Sequence, residues 1–317
     1  MKKLIIILTV AFMTISTGLV AQNLNAAGKS YNKGIELAGG GDVMGAIESY
    51  KKCAEISGEL GDVGEGLKVK AESQICNLYM KMGIEKFKVK KYDSAIILFT
   101  ESDTYAKMIN DPAIDGKLKS YFAASYTGKG NALFKKTKFQ QAVDNYNQAL
   151  TYNPEYANAH YGLVLGASKL DDVGLLEVSV KNVQDYSSDE KLKTKANIAA
   201  GKFFLRICGE AIKKEEYNIA TMNAEKSIQY YKEDPNAFFY YAMACNGKED
   251  WPNAQKAALK AISFEGEKSK GNYYFELARA YEGAGDKEKA CEAYGNVKKG
   301  PNKDVADYQR NVVLKCN

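Results

Sequence analysis

The residues of this chain that could do chemistry are six cysteines, one histidine and a few short serine–lysine and glycine–lysine spacings. The cysteines are Cys53, Cys76, Cys208, Cys245, Cys291 and Cys316, and no two stand as Cys-x-x-Cys, so a zinc ribbon or a thioredoxin-type centre is not expected. A single histidine, His160, excludes multi-histidine metal sites and leaves little room for imidazole catalysis. Gly28-Lys29-Ser30 resembles the end of a phosphate-binding loop, but Asn23 stands where that motif needs its first glycine. Ser30-x-x-Lys33, Ser49-x-x-Lys52 and Ser188-x-x-Lys191 have the spacing of the penicillin-binding serine motif without its Ser-Asp-Asn or Lys-Thr-Gly partners. The carboxylate pairs Asp171-Asp172 and Glu215-Glu216 fall at turns and helix starts, where capping accounts for them. No catalytic residue, metal site or cofactor is expected, and the chain reads as no enzyme.

Composition narrows the rest. The chain has 317 residues, 45% hydrophobic and 26% charged, the balance of a folded soluble protein. Five prolines permit long uninterrupted helices. The net charge of +5, two of it from Lys2 and Lys3, gives weak support for nucleic-acid binding, and none is expected. Residues 1–21 read as a secretory signal: Lys2 and Lys3, an apolar run from Leu4 to Met13, then Gly18-Leu19-Val20-Ala21 before Gln22. The apolar run is short for a membrane span, and no second long apolar segment follows. The expected location is therefore the periplasm or the cell exterior, with no transmembrane segment after signal removal. The Ala-Gln junction and the Lys, Asn, Tyr and Ile content resemble exported Bacteroidota proteins.

Helical periodicity organises the remainder. Seven segments share an aromatic, a small pair, a turn and then Ala-x-x-x-aromatic-x-x-small. The clearest runs Tyr126…Gly130…Leu133…Phe139…Ala142…Tyr146…Ala149…Pro154, and the last Tyr274…Leu277-Ala278…Tyr281…Gly285-Asp286…Ala290…Tyr294…Val297. Ala142, Tyr146 and Ala149 share one helix face, and the small members let two helices approach closely. The small residue opening the second helix falls at Ala46, Ala95, Ala142, Leu176, Ala220, Ala254 and Ala290. The pattern resembles the tetratricopeptide repeat, a 34-residue helix–turn–helix unit.

The resemblance implies an all-α, right-handed superhelical solenoid of about seven helix pairs, one array over residues 22–317, closed by a capping helix over 302–316 with Val305, Val312 and Leu314 as its apolar members. Long intervals before Ala95 and Ala142 imply lengthened first helices around 66–87 and 117–136, with Asn110-Asp111-Pro112 as the break between them. The long interval before Ala220 places a protruding loop at Tyr186–Glu190.

First helices of such a superhelix line an inner groove that holds extended peptides. Projected onto this chain, the groove carries Asn77, Phe87, Asn131, Phe134, Lys135, Lys202, Arg206, Phe239, Asn246, Asn272, Phe275 and Arg279, with Asn236 and Lys213 beside them. Amides can pair with a peptide backbone and rings supply contact area. The expected function is a non-catalytic protein- or peptide-binding scaffold of the bacterial envelope; a carbohydrate-binding protein using the same aromatics and asparagines is the alternative. The carboxylate clamp of chaperone-binding relatives is matched at Asn131, Lys202 and Arg206, but Thr127 and Gly162 occupy its other two places. The family architecture brings the end of the cap over the last pair, which implies a Cys291–Cys316 disulfide. Cys53–Cys76 and Cys208–Cys245 are the weaker candidate pairs, against the alternative that Cys53 and Cys208 fill small-residue packing sites.

Overall fold

The computed structural model describes residues 2–264 and 270–316, with side chains from residue 20 onward. The described residues form fifteen α-helices and no strand. They are α1 (Lys2–Gly39), α2 (Val43–Gly58), α3 (Asp62–Lys88), α4 (Tyr92–Ile109), α5 (Pro112–Lys135), α6 (Phe139–Tyr152), α7 (Ala157–Leu170) and α8 (Val173–Tyr186). Then follow α9 (Glu190–Lys213), α10 (Tyr217–Tyr230), α11 (Pro235–Gly247), α12 (Trp251–Ser263), α13 (Lys270–Gly283), α14 (Lys287–Gly295) and α15 (Lys303–Tyr308), the last running into a π-helical turn, Gln309–Val313. The architecture is an all-α solenoid of helix pairs. The chain divides into two compact units, Met1–Gly162 and Leu163–Asn317. The expected signal segment lies almost wholly outside the described side chains. Among the described residues no helix is long and apolar enough to cross a membrane.

Each turn between paired helices is built alike. A left-handed residue stands five positions before the small residue of the second helix: Gly41, Lys90, Thr137, Asp171, Glu215, Glu249 and Gly285, with φ from 57° to 87°. The small residues themselves, from Ala46 to Ala290, are fully buried. Asp42, Asp172, Asp250 and Asp286 then cap their helices through side-chain oxygens that accept from backbone N–H groups of the first turn. The Asn110-Asp111-Pro112 break is as expected: Asn110 is left-handed at φ 49°, and Asp111 accepts from the N–H groups of Ala113 and Ile114.

Within a pair, volume is shared between two facing positions. One lies twelve residues before the small residue, the other four after it: Gly34 with Tyr50, Gly83 with Phe99, Gly130 with Tyr146, Cys208 with Ala224, Ala242 with Ala258, and Ala278 with Tyr294. In these pairs a large ring is met by glycine or alanine, and the two without a ring join small residues; the same positions of α7 and α8 hold Val164 and Val180. Such reciprocity keeps interior density even without a common centre.

Three expectations are corrected. The interval before Ala220 is taken up by a 24-residue α9, not by a loop. Between α8 and α9 stand three residues, with Ser187 buried and Asp189 capping α9. The end of the chain is a six-residue helix and a π turn, with Ala306 and Leu314 on the core. Val305 and Val312, expected to cover the last pair, are about half exposed, because Ala306 and Leu314 take the core-facing side of this segment instead.

Candidate functional site

First helices pack directly on one another, α1 on α3, α3 on α5, α9 on α11 and α11 on α13, whereas no comparable packing joins second helices among the described residues. In a curved stack the converging helices line the concave side, so the first helices form it within each unit. In the second unit this side opens into a cleft of 580 Å³ between α9 and α11. Lys202, Leu205, Arg206, Gly209 and Lys213 share one face of α9, at spacings of three and four. Phe239, Tyr240 and Met243 form the α11 wall.

The cleft is apolar with a basic bias. Arg206 is committed: its guanidinium pairs with Asp171 and with Glu210 at 2.8 Å, and stacks 5.3 Å from the Phe203 ring centroid. Lys202 and Lys213 have no ion-pair partner among the described residues. Phe239 is held by Tyr240 and Tyr273 at ring distances of 5.5 and 5.3 Å. This arrangement offers two cations beside an apolar floor, and no nucleophile beside a base.

Of the residues projected onto the groove, Lys202, Arg206 and Phe239 line this one cleft, with Lys213. Asn77, Asn131 and Lys135 are exposed in the first unit, where Asn131 Oδ1 accepts from the Tyr146 hydroxyl at 2.8 Å. Other positions serve packing instead of a groove. Asn246 is buried, its amide donating to the backbone oxygen and the carboxylate of Glu276 at 2.9 and 2.8 Å. Arg279 pairs with the same carboxylate at 3.0 Å. Phe87 rests against Tyr92 and Tyr121, Phe134 against Phe139, and Phe275 against Tyr294. Asn272 accepts from Asn302 at 3.3 Å and so ties α13 to the start of the final helix. Leu205, Tyr240 and Met243 were not foreseen as lining residues; the three-and-four spacing about Lys202 and Arg206 is the signal that marks Leu205.

Cys291 and Cys316 form a disulfide with their Cα atoms 5.7 Å apart. The other four cysteines are buried thiols, so the pairs Cys53–Cys76 and Cys208–Cys245 are not formed. Each fills a packing slot of its own: Cys53 lies by Ser57, Cys76 by Ser102, Cys208 by Ala220 and Ala224, and Cys245 by Ala254 and Ala280. Burial pushes the Cys208 thiol up to about 12 and Cys245 up to about 11, which removes nucleophilic character near neutral pH. His160 is buried with Nε2 2.8 Å from the Pro154 carbonyl, and burial lowers its pKa. Thr127 is buried with its hydroxyl unpartnered, and a side chain at Gly162 would strike Tyr146, so neither supplies a clamp residue. Among the described residues no cluster of His, Cys, Asp or Glu could hold a metal ion.

Residues 130–163 match the family model described as TPR repeat, and residues 271–297 match that described as Tetratricopeptide repeat. These segments contain the third and seventh small residues, Ala142 and Ala290, and support the tetratricopeptide-repeat assignment. No curated protein sequence matches the chain. Among solved structures, the crystal structure of a MamA protein is similar at 16% identity and a TM-score of 0.39, over 60% of this chain and 96% of that one. The TPR2AB domain of yeast Sti1 in complex with pHSP90 is similar at 15% identity and a TM-score of 0.34, over 92% and 97%. A tetratricopeptide repeat protein from Parabacteroides merdae ATCC 43184 gives 14% identity and 0.30, over 92% and 100%.

Proposed function

We propose that this chain is a non-catalytic protein-binding scaffold exported to the cell envelope, and that the α9–α11 cleft takes an extended peptide segment carrying acidic and apolar side chains. One observation carries this reading: Lys202 and Lys213, without ion-pair partners among the described residues, flank a wall of Phe239, Tyr240 and Met243. An acidic side chain finds charge at the rim, and its neighbours find aromatic surface. Arg206 shapes the cleft and contributes little charge, since two carboxylates already neutralise it. The carbohydrate alternative is not adopted. Phe87, Phe134, Phe239 and Phe275 each lie against another aromatic ring, and the same Lys202 and Lys213 beside Phe239 favour an acidic ligand over a neutral sugar.

Fluorescence anisotropy with a short labelled peptide alternating Glu with Phe and Leu tests the cleft. The expected result is saturable binding that weakens about tenfold, the equivalent of ~1.4 kcal/mol, in a Lys202→Glu/Lys213→Glu variant. Equal binding of a Lys-for-Glu peptide, or no effect of the variant, would refute it. Crosslinking in intact cells should capture a protein partner. Export is tested by the intact mass of the envelope-fraction protein, expected to begin at Gln22; cytoplasmic protein retaining residues 1–21 would exclude it.

A further inference from the structure

A second cleft, of 640 Å³, opens on the opposite side of the second unit, between the second helices α10 and α12. Its walls are matched stripes: Glu225, Ile228, Gln229 and Lys232 from α10 and its end, and Asn253, Lys256, Ala257 and Lys260 from α12. Phe238 and Tyr241 of α11 form the floor. Each stripe spans eight residues, and that of α12 covers about 10 Å of helix.

The preceding cleft shows why this one is open. Between α8 and α10, Lys226 pairs with Glu177 at 2.7 Å and covers the Phe204 ring at 5.0 Å. Glu177 immediately follows the small residue Leu176, and Lys226 lies six residues beyond Ala220. One repeat later the same register gives Thr221 and Lys260. Thr221 is buried, donates to the Asn218 carbonyl and brings no carboxylate, so the closing ion pair is missing. Lys260 turns instead over the Phe264 ring at 5.0 Å. Lys232 and Lys256 have no ion-pair partner among the described residues. The carboxylate within the cleft, Glu225, accepts from the Tyr241 hydroxyl at 2.8 Å, toward the end away from Lys232 and Lys260.

We propose that the α10–α12 cleft is a binding site for a small amphiphilic anion, an organic carboxylate with an apolar body of alkyl or aryl character. The carboxylate is held by Lys256 and Lys260 with Lys232 beside them, and the body lies on Ile228, Phe238 and Ala257. The volume falls within the range of small-molecule sites, and the polarity along the cleft orients the ligand. This site is separate from the peptide cleft between α9 and α11 and shares no lining residue with it.

The probe is sodium octanoate below its micellar concentration, followed by chemical shifts in the full chain, with octanol and octyltrimethylammonium as neutral and cationic controls. Octanoate is expected to saturate, with shifts at Ile228, Phe238 and Ala257. Octanol is expected to bind about tenfold more weakly, since it forfeits the charge-assisted hydrogen bonds. A Lys256→Gln/Lys260→Gln variant, whose exposed substitutions leave the core intact, should lose a similar factor for octanoate and none for octanol. A Thr221→Glu variant restores the carboxylate of the closed register and should lower octanoate affinity, measured at a temperature where its own melting curve shows the chain folded. Equal affinity for octanoate and octanol, unchanged affinity in the double lysine variant, or shifts confined to the α9–α11 cleft would overturn the proposal. A Lys202→Glu/Lys213→Glu variant should bind octanoate normally, so failure of the peptide reading and failure of this one are distinguishable.

Discussion

Tyr146 is gripped by two backbones, since a Cβ at Gly130 or at Gly162 would stand 2.6 or 2.5 Å from its ring. The ring is fully buried and its hydroxyl is held by Asn131, so it has nowhere to move. Alanine at Gly130 gains about 1 kcal/mol in helix propensity, but overpacking a rigid core costs about 1–3 kcal/mol. Gly130→Ala should therefore destabilise, whereas Gly116→Ala, with open space around it in the same helix, should stabilise by about 0.5–1 kcal/mol. Urea unfolding of the two variants checks the opposite signs. His160 gives a pH signature. Burial lowers its pKa in the folded chain, so the folded state binds fewer protons than the unfolded one as pH falls through the ordinary value of 6.5. Stability from this group is present above that value and is lost below it. Denaturant midpoints measured from pH 7.5 down to 5.5 should fall, and His160→Phe should flatten that part of the profile.

The helix turns and caps are where elements can be tuned. Glu249 holds a left-handed conformation at φ 60° in a turn where Gly41 and Gly285 do so without a Cβ. Glu249→Gly relieves about 1–2 kcal/mol of backbone cost, reduced by the greater freedom glycine brings to the unfolded chain, about 0.4–1 kcal/mol. A small rise in thermal midpoint is the expected outcome. Asp111 satisfies two N–H groups at the start of α5, and Asp111→Ala should cost about 1 kcal/mol. The final helix depends on Cys291–Cys316, which closes a separation of 25 residues. Reduction should remove roughly 3 kcal/mol of stabilisation by freeing the unfolded chain. Hydrogen exchange across Lys303–Val313 should rise on reduction, since Ala306 and Leu314 are the few apolar residues holding that end to Leu277 and Tyr294.

At the scale of the molecule, the strongest packing joins elements adjacent in the chain, and among the described residues no one centre gathers the apolar side chains. Energetic damage should then stay local, as nearest-neighbour stacking requires. Gly130→Ala is expected to raise hydrogen exchange in α5 and α6 while α11 and α12 keep their protection. A uniform rise along the chain would show instead that the molecule unfolds as one cooperative body.

The amino-acid sequence by itself determined the helices and their pairing faces, because those rest on short-range spacing. Ala46 through Ala290 sit at a helical period from their aromatics, Asp111 and Pro112 mark a boundary by their own backbone chemistry, and small residues can mean little else than close approach. The lengthened α3 and α5 were legible for the same reason. Tertiary structure decided which side chains were left to bind. Asn246 and Lys202 look alike as groove positions, yet the first is consumed by Glu276 on the next first helix and the second is not. Phe87 and Phe275 reach neighbouring rings instead of a ligand, and Tyr186–Glu190 is drawn into a short joint because α9 extends to meet it. Pairing between copies depends on the register in which one repeat meets the next. That register is set by summed packing over many residues, and no local run of sequence encodes it.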